Sequence, residues 1–264
     1  MEQHLWLIPV GFAVGAYGTL IGAGGGFVLV PLLLLIYPHE SPEVITAISL
    51  CVVFFNAASG SVAYARMGRI DYKAGLIFSA AAAPGAVLGA LSTSYIPRNI
   101  FNFIFGIMMI LASAYLILRA TQNPHESVPG KAAKDSSSYN LTLGTILSLF
   151  VGYFSSLLGI GGGIIHVPAL VRILSFPVHI ATATSHFILA IMALTGTLTH
   201  VATGTFHHGI RRAICLSIGV VIGAQVGARL STRISGSWII RGLAIALGFV
   251  GVRILFLAFE AISR

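Results

Sequence analysis

Two glycine-rich stretches are the first places in this sequence where the backbone itself could bind a ligand. They read GAGGGFVLVP over residues 22–31 and GIGGGIIHVP over residues 159–168. Three consecutive glycines let the backbone leave the helical conformation and bring its N–H groups close to a ligand. A helix that begins there presents the positive end of its dipole, which favours an anion. The alternative role of the glycines is close packing between helices. The candidate backbone donors are Gly24, Gly25, Gly26, Gly161, Gly162 and Gly163.

Polar side chains in the next apolar segment of each half supply hydrogen bonds without charge. Thr46, Ser49, Asn56 and Gly60 are spaced 3, 7 and 4 residues apart, which keeps them on one face of a helix. Such groups can bind an oxyanion, or they can join helices by hydrogen bonds within the membrane. The second half repeats the pattern with Thr182, Ser185, Gly196, Thr199 and His200. The candidate binding side chains are Ser49, Asn56 and Ser185.

Three histidines, His166, His186 and His200, lie within apolar runs. An ionisable group inside a membrane segment is a functional candidate by default. His186 directly follows Ser185 and is the candidate binding residue, because its imidazole could supply positive charge to an anion or carry a coupled proton. The alternative is a neutral buried imidazole with one hydrogen-bond partner. The role of Gln225 is open in the same way. Its side chain could donate a hydrogen bond to a ligand, or it could link two helices by a hydrogen bond.

The composition places these groups in a membrane protein. Of the 264 residues, 56% are hydrophobic and 8% are charged, whereas a soluble domain has about 25% charged residues. Segments of roughly 20 apolar residues cross the bilayer as helices, because unpaired backbone groups are not tolerated in lipid. The net charge of +8 resides in short loops between such segments. This indicates the positive-inside bias of membrane proteins rather than nucleic-acid binding.

The sequence contains an internal duplication. Residues 15–31 align without a gap with residues 152–168, and residues 85–90 align with residues 223–228. Four such blocks occur in the same order in both halves, which chance matches between glycine-rich segments would not produce. We therefore predict an N-terminal repeat over 1–120 and a C-terminal repeat over 140–264. A flexible connector over 121–139, rich in Pro, Gly, Ser and Lys, joins them.

Each repeat has four apolar segments. The first is about 30 residues long, or ~45 Å as one helix, which is more than the bilayer needs. Because glycine is a poor helix former, we expect this segment to be broken or re-entrant at the triple-Gly motif. The predicted fold is an all-α integral membrane protein with about eight transmembrane segments in two homologous four-segment halves. Four crossings per half would give parallel repeats and an odd number inverted repeats, and the loop charges leave both open. The paired segments are 7–36 and 142–174, 44–65 and 179–203, 74–94 and 211–231, and 98–119 and 237–260.

These motifs resemble the sulfite exporter TauE/SafE family. The resemblance rests on the duplicated G-x-G-G-G-x-x-x-x-P, on the duplicated Thr-Ala-x-Ser and G-A-x-x-G-A blocks, and on the eight-segment plan. It covers the whole chain except the connector. Members are bacterial, archaeal and plant membrane proteins linked to the movement of sulfite, sulfonates and related organic anions. The resemblance implies a multi-pass protein of the cell (inner) membrane that exports a small anion.

The positions of the charged residues also favour an anionic substrate. All seven acidic residues lie outside the deep apolar stretches, whereas a cation or metal transporter uses carboxylates as ligands or relays. We expect transport of a small anion such as sulfite or an organosulfonate, by alternating access around a site between the repeats, without a cofactor or a bound metal. The alternative is a transporter of a metal cation bound by histidines, or of a neutral solute. An enzyme is not indicated, because neither G-x-S-x-G nor an intramembrane aspartate pair is present.

Basic residues predict the sidedness of two loops. The loops 66–73 and 119–139 carry most of the basic residues of the first half, so we expect both to be cytoplasmic. A cysteine placed at Ser127, in a chain whose Cys51 and Cys215 are replaced, should react with an impermeant maleimide only after the cells are opened. Labelling from outside intact cells would reverse the assignment. The residues concerned are Arg66, Arg69, Lys73, Arg119, Lys131 and Lys134.

Overall fold

The computed structural model is helical throughout the residues that it describes, which are 4–122, 140–231 and 237–262. No strand occurs in these ranges. Most of the connector predicted over 121–139 lies outside the described residues. A short 3-10 turn, Thr205–His208, precedes the ninth helix. The α-helices of the described ranges are α1 (Leu7–Ile21), α2 (Gly26–Ile36), α3 (Pro42–Arg66), α4 (Tyr72–Thr93), α5 (Arg98–Gln122), α6 (Leu141–Leu158), α7 (Gly163–Arg172), α8 (Val178–Ala202), α9 (Ile210–Leu230) and α10 (Ser237–Ile262).

Six helices in the described part of the chain are long and apolar enough to cross a bilayer. They are α3, α4, α6, α8, α9 and the Arg98–Tyr115 part of α5. Their outer faces carry large apolar side chains that are more than half exposed, such as Leu88, Phe150 and Ile222. Apolar surface of this extent needs lipid as its solvent. The prediction of an all-helical, multi-pass membrane protein is therefore confirmed, while the number of eight crossings stays a prediction.

The first apolar segment of each half contains two helices separated by glycines. α1 ends at Ile21 and is closed by Gly22 in the left-handed conformation (φ 81°), and α2 begins after Gly25, which is also left-handed (φ 78°). Residues with a Cβ rarely adopt these angles, so both positions favour glycine. In the second half α6 ends at Leu158, and α7 begins after Gly162 (φ 67°). With 15 and 11 residues, α1 and α2 span about 22 Å and 16 Å, each less than the ~30 Å hydrocarbon layer.

The chain forms two compact units, and these do not follow the two repeats. The first unit comprises Met1–Ile96 and Leu141–Arg233, and the second comprises Pro97–Asn140 and Ile234–Arg264. The first unit therefore holds the first three apolar segments of both halves, and the second unit holds the fourth segment of each. Each unit takes the same segments from both halves, and the repeat boundaries themselves stay a prediction from the sequence.

Within the first unit, helices of one half pack against helices of the other. α1 packs along α9, and α4 packs along α6. The G-A-x-x-G-A blocks bring these backbones together, since a Cβ placed on Gly223 would collide with the carbonyl oxygen of Phe12. A Cβ on Gly85 would collide in the same way with the carbonyl oxygen of Leu149. Small residues at both interfaces thus permit the close packing that membrane helices commonly use.

α3 and α8 pack against each other in the interior of the first unit. Their facing side chains form an apolar cluster that also includes two alanines of α4. These two helices also carry the predicted polar stripes, and most stripe residues, including Ser49, Asn56 and Ser185, are buried, whereas Thr182 and Thr199 are partly exposed. The fully buried members of the cluster are Leu50, Val53, Ala57, Ala82, Ala86, Leu189, Met192 and Ala193.

The second unit is built on the contact between α5 and α10. A Cβ placed on Gly106 would lie 2.7 Å from the Leu255 side chain, so α10 approaches α5 closely at this glycine. The Ser113 hydroxyl donates a 2.5 Å hydrogen bond to the carbonyl oxygen of Ala244. None of the candidate binding residues from the sequence belongs to this unit.

Candidate functional site

The two glycine breaks lie directly against each other inside the first unit. A Cβ placed on Gly26 would lie 2.6 Å from the carbonyl oxygen of Ile160, and one placed on Gly163 would lie 2.6 Å from the Cα atom of Ala23. The two backbones are therefore in contact, with no space for a side chain between them. The structure brings the six candidate glycines into one region of the molecule.

Two apolar side chains, Val53 of α3 and Leu189 of α8, fill the space beside the breaks. A Cβ on Gly161 would lie 2.6 Å from a methyl group of Val53, and a Cβ on Gly24 would collide with Leu189. Both side chains are fully buried. The α3–α8 pair therefore lines both breaks, and residues one helical turn beyond Val53 and Leu189 face the starts of α2 and α7.

The N-terminus of α2 has an unpaired donor beside it. Gly25 is its N-cap, and no side chain caps this helix. The first bonds run from the N–H groups of Val28 and Leu29 to the carbonyl oxygen of Gly25, which leaves the N–H groups of Gly26 and Phe27 at the open end. A Cβ on Gly25 would lie 3.5 Å from Nδ2 of Asn56. The Asn56 side chain is fully buried, and its Nδ2 has no hydrogen-bond partner.

The other end of the Asn56 amide is held by α1. The Thr19 hydroxyl donates a 3.0 Å hydrogen bond to Oδ1 of Asn56, so the amide turns its N–H group towards the start of α2. Nε2 of His186 lies 3.4 Å from the same hydroxyl oxygen. Since the hydroxyl hydrogen is used on Asn56, His186 is the donor in this contact. Tyr64 completes the arrangement by donating a 2.9 Å bond to the carbonyl oxygen of Thr19.

Ser49 and Ser185 occupy matching positions but differ in their contacts. The Ser49 hydroxyl donates a 2.6 Å hydrogen bond to the carbonyl oxygen of Gly159. It therefore stabilises the second glycine break, and its hydrogen is already engaged. Ser185 is fully buried, and its Oγ has no partner in the described structure. Of the two hydroxyls, only that of Ser185 retains a hydrogen to donate.

Two other residues that the sequence singled out have partners of their own. Nε2 of His166 lies 3.0 Å from the Ser148 hydroxyl, which links α7 to α6. Nε2 of Gln225 donates to the carbonyl oxygen of Ser59 at 2.7 Å and to its hydroxyl at 2.9 Å. Gln225 therefore joins α9 to α3, as its helix-linking interpretation requires.

Sequence reasoning missed two residues at the breaks, Thr19 and Ser155. Both lie in the last turn of the helix that precedes a break, and both are fully buried. A signal was available, because Thr19 falls in the duplicated block and Ser156 stands at the matching position. Hydroxyl residues thus recur just before both glycine motifs. What the sequence could not show is that α1 brings Thr19 to the polar stripe of α3.

The glycine breaks are closed to solvent, because the side chains of Val53, Asn56 and Leu189 beside them are fully buried. A cavity of about 350 Å³ is lined by apolar side chains of α6 together with Ile165, and a second of about 290 Å³ lies at residues 36–40. Neither is lined by a residue of the glycine breaks. Among the described residues, no group of three or more His, Cys, Asp or Glu side chains could hold a metal ion.

Comparison with known proteins places the chain among membrane transporters. The family model described as Sulfite exporter TauE/SafE matches residues 7–254. The probable membrane transporter protein YunE of Bacillus subtilis is 35% identical over 75% of this chain and 78% of its own length. A probable membrane transporter protein of Xylella fastidiosa is 28% identical over 72% of this chain and 70% of its own length.

A plant relative carries the family name itself. The Sulfite exporter TauE/SafE family protein 6 of Arabidopsis thaliana is 31% identical over 42% of this chain and 27% of its own length. No solved structure shows significant similarity to the chain. The family match over nearly the whole chain, together with the apolar helices and the paired glycine breaks, identifies this chain as a member of the sulfite exporter TauE/SafE family of membrane transporters.

Proposed function

We propose that this chain transports a small anion, such as sulfite or an organosulfonate, out of the cell. The substrate binds between the two repeats, at the glycine breaks, and reaches the two sides of the cell membrane by alternating access. The observation that carries the proposal is the uncapped N-terminus of α2 with the unpaired Nδ2 of Asn56 beside it. A buried donor without a partner is costly, so a ligand that accepts its hydrogen bond is strongly favoured.

The polar groups at the start of α2 favour an anionic ligand. The open N–H groups of α2 and the Asn56 amide are all donors, and the helix dipole adds positive potential at the same point. His186 also acts as a donor towards Thr19. The described apolar helices offer no carboxylate at the breaks, whereas a site for a cation would need one. This supports an anion over the alternative of a metal cation bound by histidines.

The closed glycine breaks are consistent with an occluded state of a transporter. Val53 and Leu189 pack against the glycines of both breaks, so an anion reaches the open end of α2 only when these contacts separate. Helices interrupted near a substrate site are a recurrent device of membrane transporters, because the N-termini of the half-helices can point at an anionic substrate. We propose that the segments around the two breaks move in this way.

Purified protein in proteoliposomes should move small oxyanions and not metal cations. We expect uptake of at least one of radiolabelled sulfite, sulfate, thiosulfate or methanesulfonate, and none of zinc, because the breaks present donors without a carboxylate. Liposomes without protein provide the background. Transport of zinc in the absence of any anion flux would overturn the proposal.

Gly25→Ala should abolish most of this anion flux. The new Cβ would lie 2.9 Å from a methyl group of Val14 and 3.5 Å from Nδ2 of Asn56, so it would occupy the approach to the open end of α2. Gly204→Ala is the matched control, since Gly204 is also left-handed (φ 80°) and has no atom within 4 Å of its Cβ position. Both variants carry the same backbone strain of about 1–2 kcal/mol. Equal flux in the two variants would show that Gly25 is needed only for its left-handed backbone conformation.

Asn56→Asp should lower anion affinity, and because the position is fully buried it should also lower stability. A carboxylate beside the N-terminus of α2 interacts favourably with the helix dipole, but it replaces a donor by a negative charge. Loss of one hydrogen bond to a charged ligand is worth about 1.5–3 kcal/mol, so half-saturation should rise roughly 10–100-fold. Asn99→Asp is the control, because Oδ1 of Asn99 only accepts from the Ile100 N–H group, as a carboxylate would. Parental affinity in Asn56→Asp would show that the Asn56 amide does not bind the anion.

A further inference from the structure

We infer that a second, non-equivalent anion subsite lies at the N-terminus of α7, with Ser155 as its side-chain donor. The inference rests on the proposed function, because it assigns the same anion to this second break. It adds Ser155, which neither the sequence motifs nor the family match single out. It also assigns Met192 as the residue that makes the two subsites unlike.

The residues around the two breaks stand at corresponding positions in the two halves. Gly162 follows Gly25 by 137 residues, the offset of the aligned glycine blocks, and Met192 follows Asn56 by 136, the offset between Ser49 and Ser185. The contacts at the two breaks show the same correspondence. A Cβ on Gly25 would lie 3.5 Å from Nδ2 of Asn56, and a Cβ on Gly162 would lie 2.9 Å from the methyl group of Met192. Met192 therefore stands at the second break where Asn56 stands at the first.

The start of α7 is open in the same way as the start of α2. Gly162 is its N-cap, and no side chain caps this helix of 10 residues. The first bonds run from the N–H groups of Ile165 and His166 to the carbonyl oxygen of Gly162. The N–H groups of Gly163 and Ile164 remain at the open end, with the positive end of the helix dipole.

Ser155 provides the polar side chain that Met192 does not. It is fully buried, and its Oγ would lie 3.0 Å from a Cβ on Gly162. Its hydroxyl has no hydrogen-bond partner. Several helical hydroxyls among the described residues bond to the carbonyl oxygen four residues earlier, as those of Ser79, Thr195 and Thr197 do. Ser155 does not make this bond, so its hydroxyl hydrogen is available to a ligand at the start of α7.

The two subsites should differ in affinity. At α2 the donor is an amide whose orientation is fixed by Thr19. At α7 it is a single hydroxyl, and the methyl group of Met192 occupies the position of the amide. Dehydrating an anion demands replacement hydrogen bonds, and the α7 subsite offers fewer of them. The α2 subsite therefore binds the anion more tightly than the α7 subsite.

The structure also indicates how the α7 subsite could be strengthened. Ser156 stands at the position that matches Thr19, is fully buried, and has an Oγ without a partner. An asparagine at position 192 could be held by Ser156 as Asn56 is held by Thr19. Met192→Asn should therefore complete a second amide site, whereas Met192→Leu keeps the position apolar at a similar volume.

Calorimetric titration of the full-length protein in detergent with sulfite, under anaerobic conditions, tests the inference. The parental protein should bind two sulfite ions per chain with unequal affinities. Ser155→Ala should remove the weaker binding event, and Asn56→Leu should remove the tighter one. Met192→Asn should tighten the weaker event roughly 10–100-fold, the effect of one charged hydrogen bond, while Met192→Leu should not. Ser79→Ala is the matched control, since its hydroxyl bonds within its own helix.

The possible failures are distinguishable. A single binding event that Asn56→Leu abolishes and Ser155→Ala leaves unchanged would overturn the second subsite and keep the proposed function. Two events that are both insensitive to Ser155→Ala would also overturn it. If the parental protein binds none of sulfite, thiosulfate and methanesulfonate, the proposed function itself fails.

Discussion

The structure of the first unit depends on one constraint, which is that backbone polar groups in lipid must find partners within the protein. A break in a helix releases several N–H and C=O groups at once, and water is not available to satisfy them. Here the carbonyl oxygen of Gly18 accepts from the N–H groups of Ala23 and Gly24. The second break receives the Ser49 hydroxyl on the carbonyl oxygen of Gly159. These two carbonyl groups are thus satisfied by the protein, whereas the N–H groups at the starts of α2 and α7 are left open.

The need to satisfy the backbone groups at the breaks explains why helices of one half pack against helices of the other. The first helix of each broken segment packs along a helix of the other half, and the second packs against the next long helix of its own half. α1 lies along α9 and α6 lies along α4, and in both pairs glycine permits direct contact between backbones. The breaks are then closed on the inside by Val53 and Leu189. The duplication provides both halves of this arrangement, and neither half could shield its break alone.

The sequence was informative where the signal is local or periodic. Apolar runs between charges predicted the helical segments, since the cost of burying charge in lipid confines it to loops. Three glycines in a row predicted a place where N–H groups are exposed, and Asn56 on the polar stripe of α3 does lie beside Gly25. The grouping of segments into compact units could not be predicted, because contacts between α1 and α9 leave no trace in helical periodicity. The same reason hid Thr19, whose importance comes from its contact with Asn56 and not from its spacing.

Ser49 shows a further limit of reasoning from residue type. Its position on the stripe is the same as that of Ser185, yet its hydroxyl is bonded to Gly159 while that of Ser185 has no partner. Residue type and spacing alone do not encode this difference in contacts. At Thr19 and Ser156 the duplicated hydroxyl is retained, but the residues facing them are Asn56 in one half and Met192 in the other. The polar residues of the proposed site are therefore distributed unequally between the two halves.

That inequality has a thermodynamic consequence for any solute that crosses the molecule. Where unlike halves face opposite sides of the membrane, as in inverted repeats, a carrier has different half-saturation concentrations on its two faces and different rates of inward and outward turnover. It cannot change the ratio of concentrations at which net flow stops, because a passive pathway returns to the same equilibrium whichever face is loaded first. If the proposed site is correct, replacing Asn56 or Met192 would alter how steeply flux responds to concentration on each face. The direction of net flow would still be set by the gradients of solute and of any coupled ion.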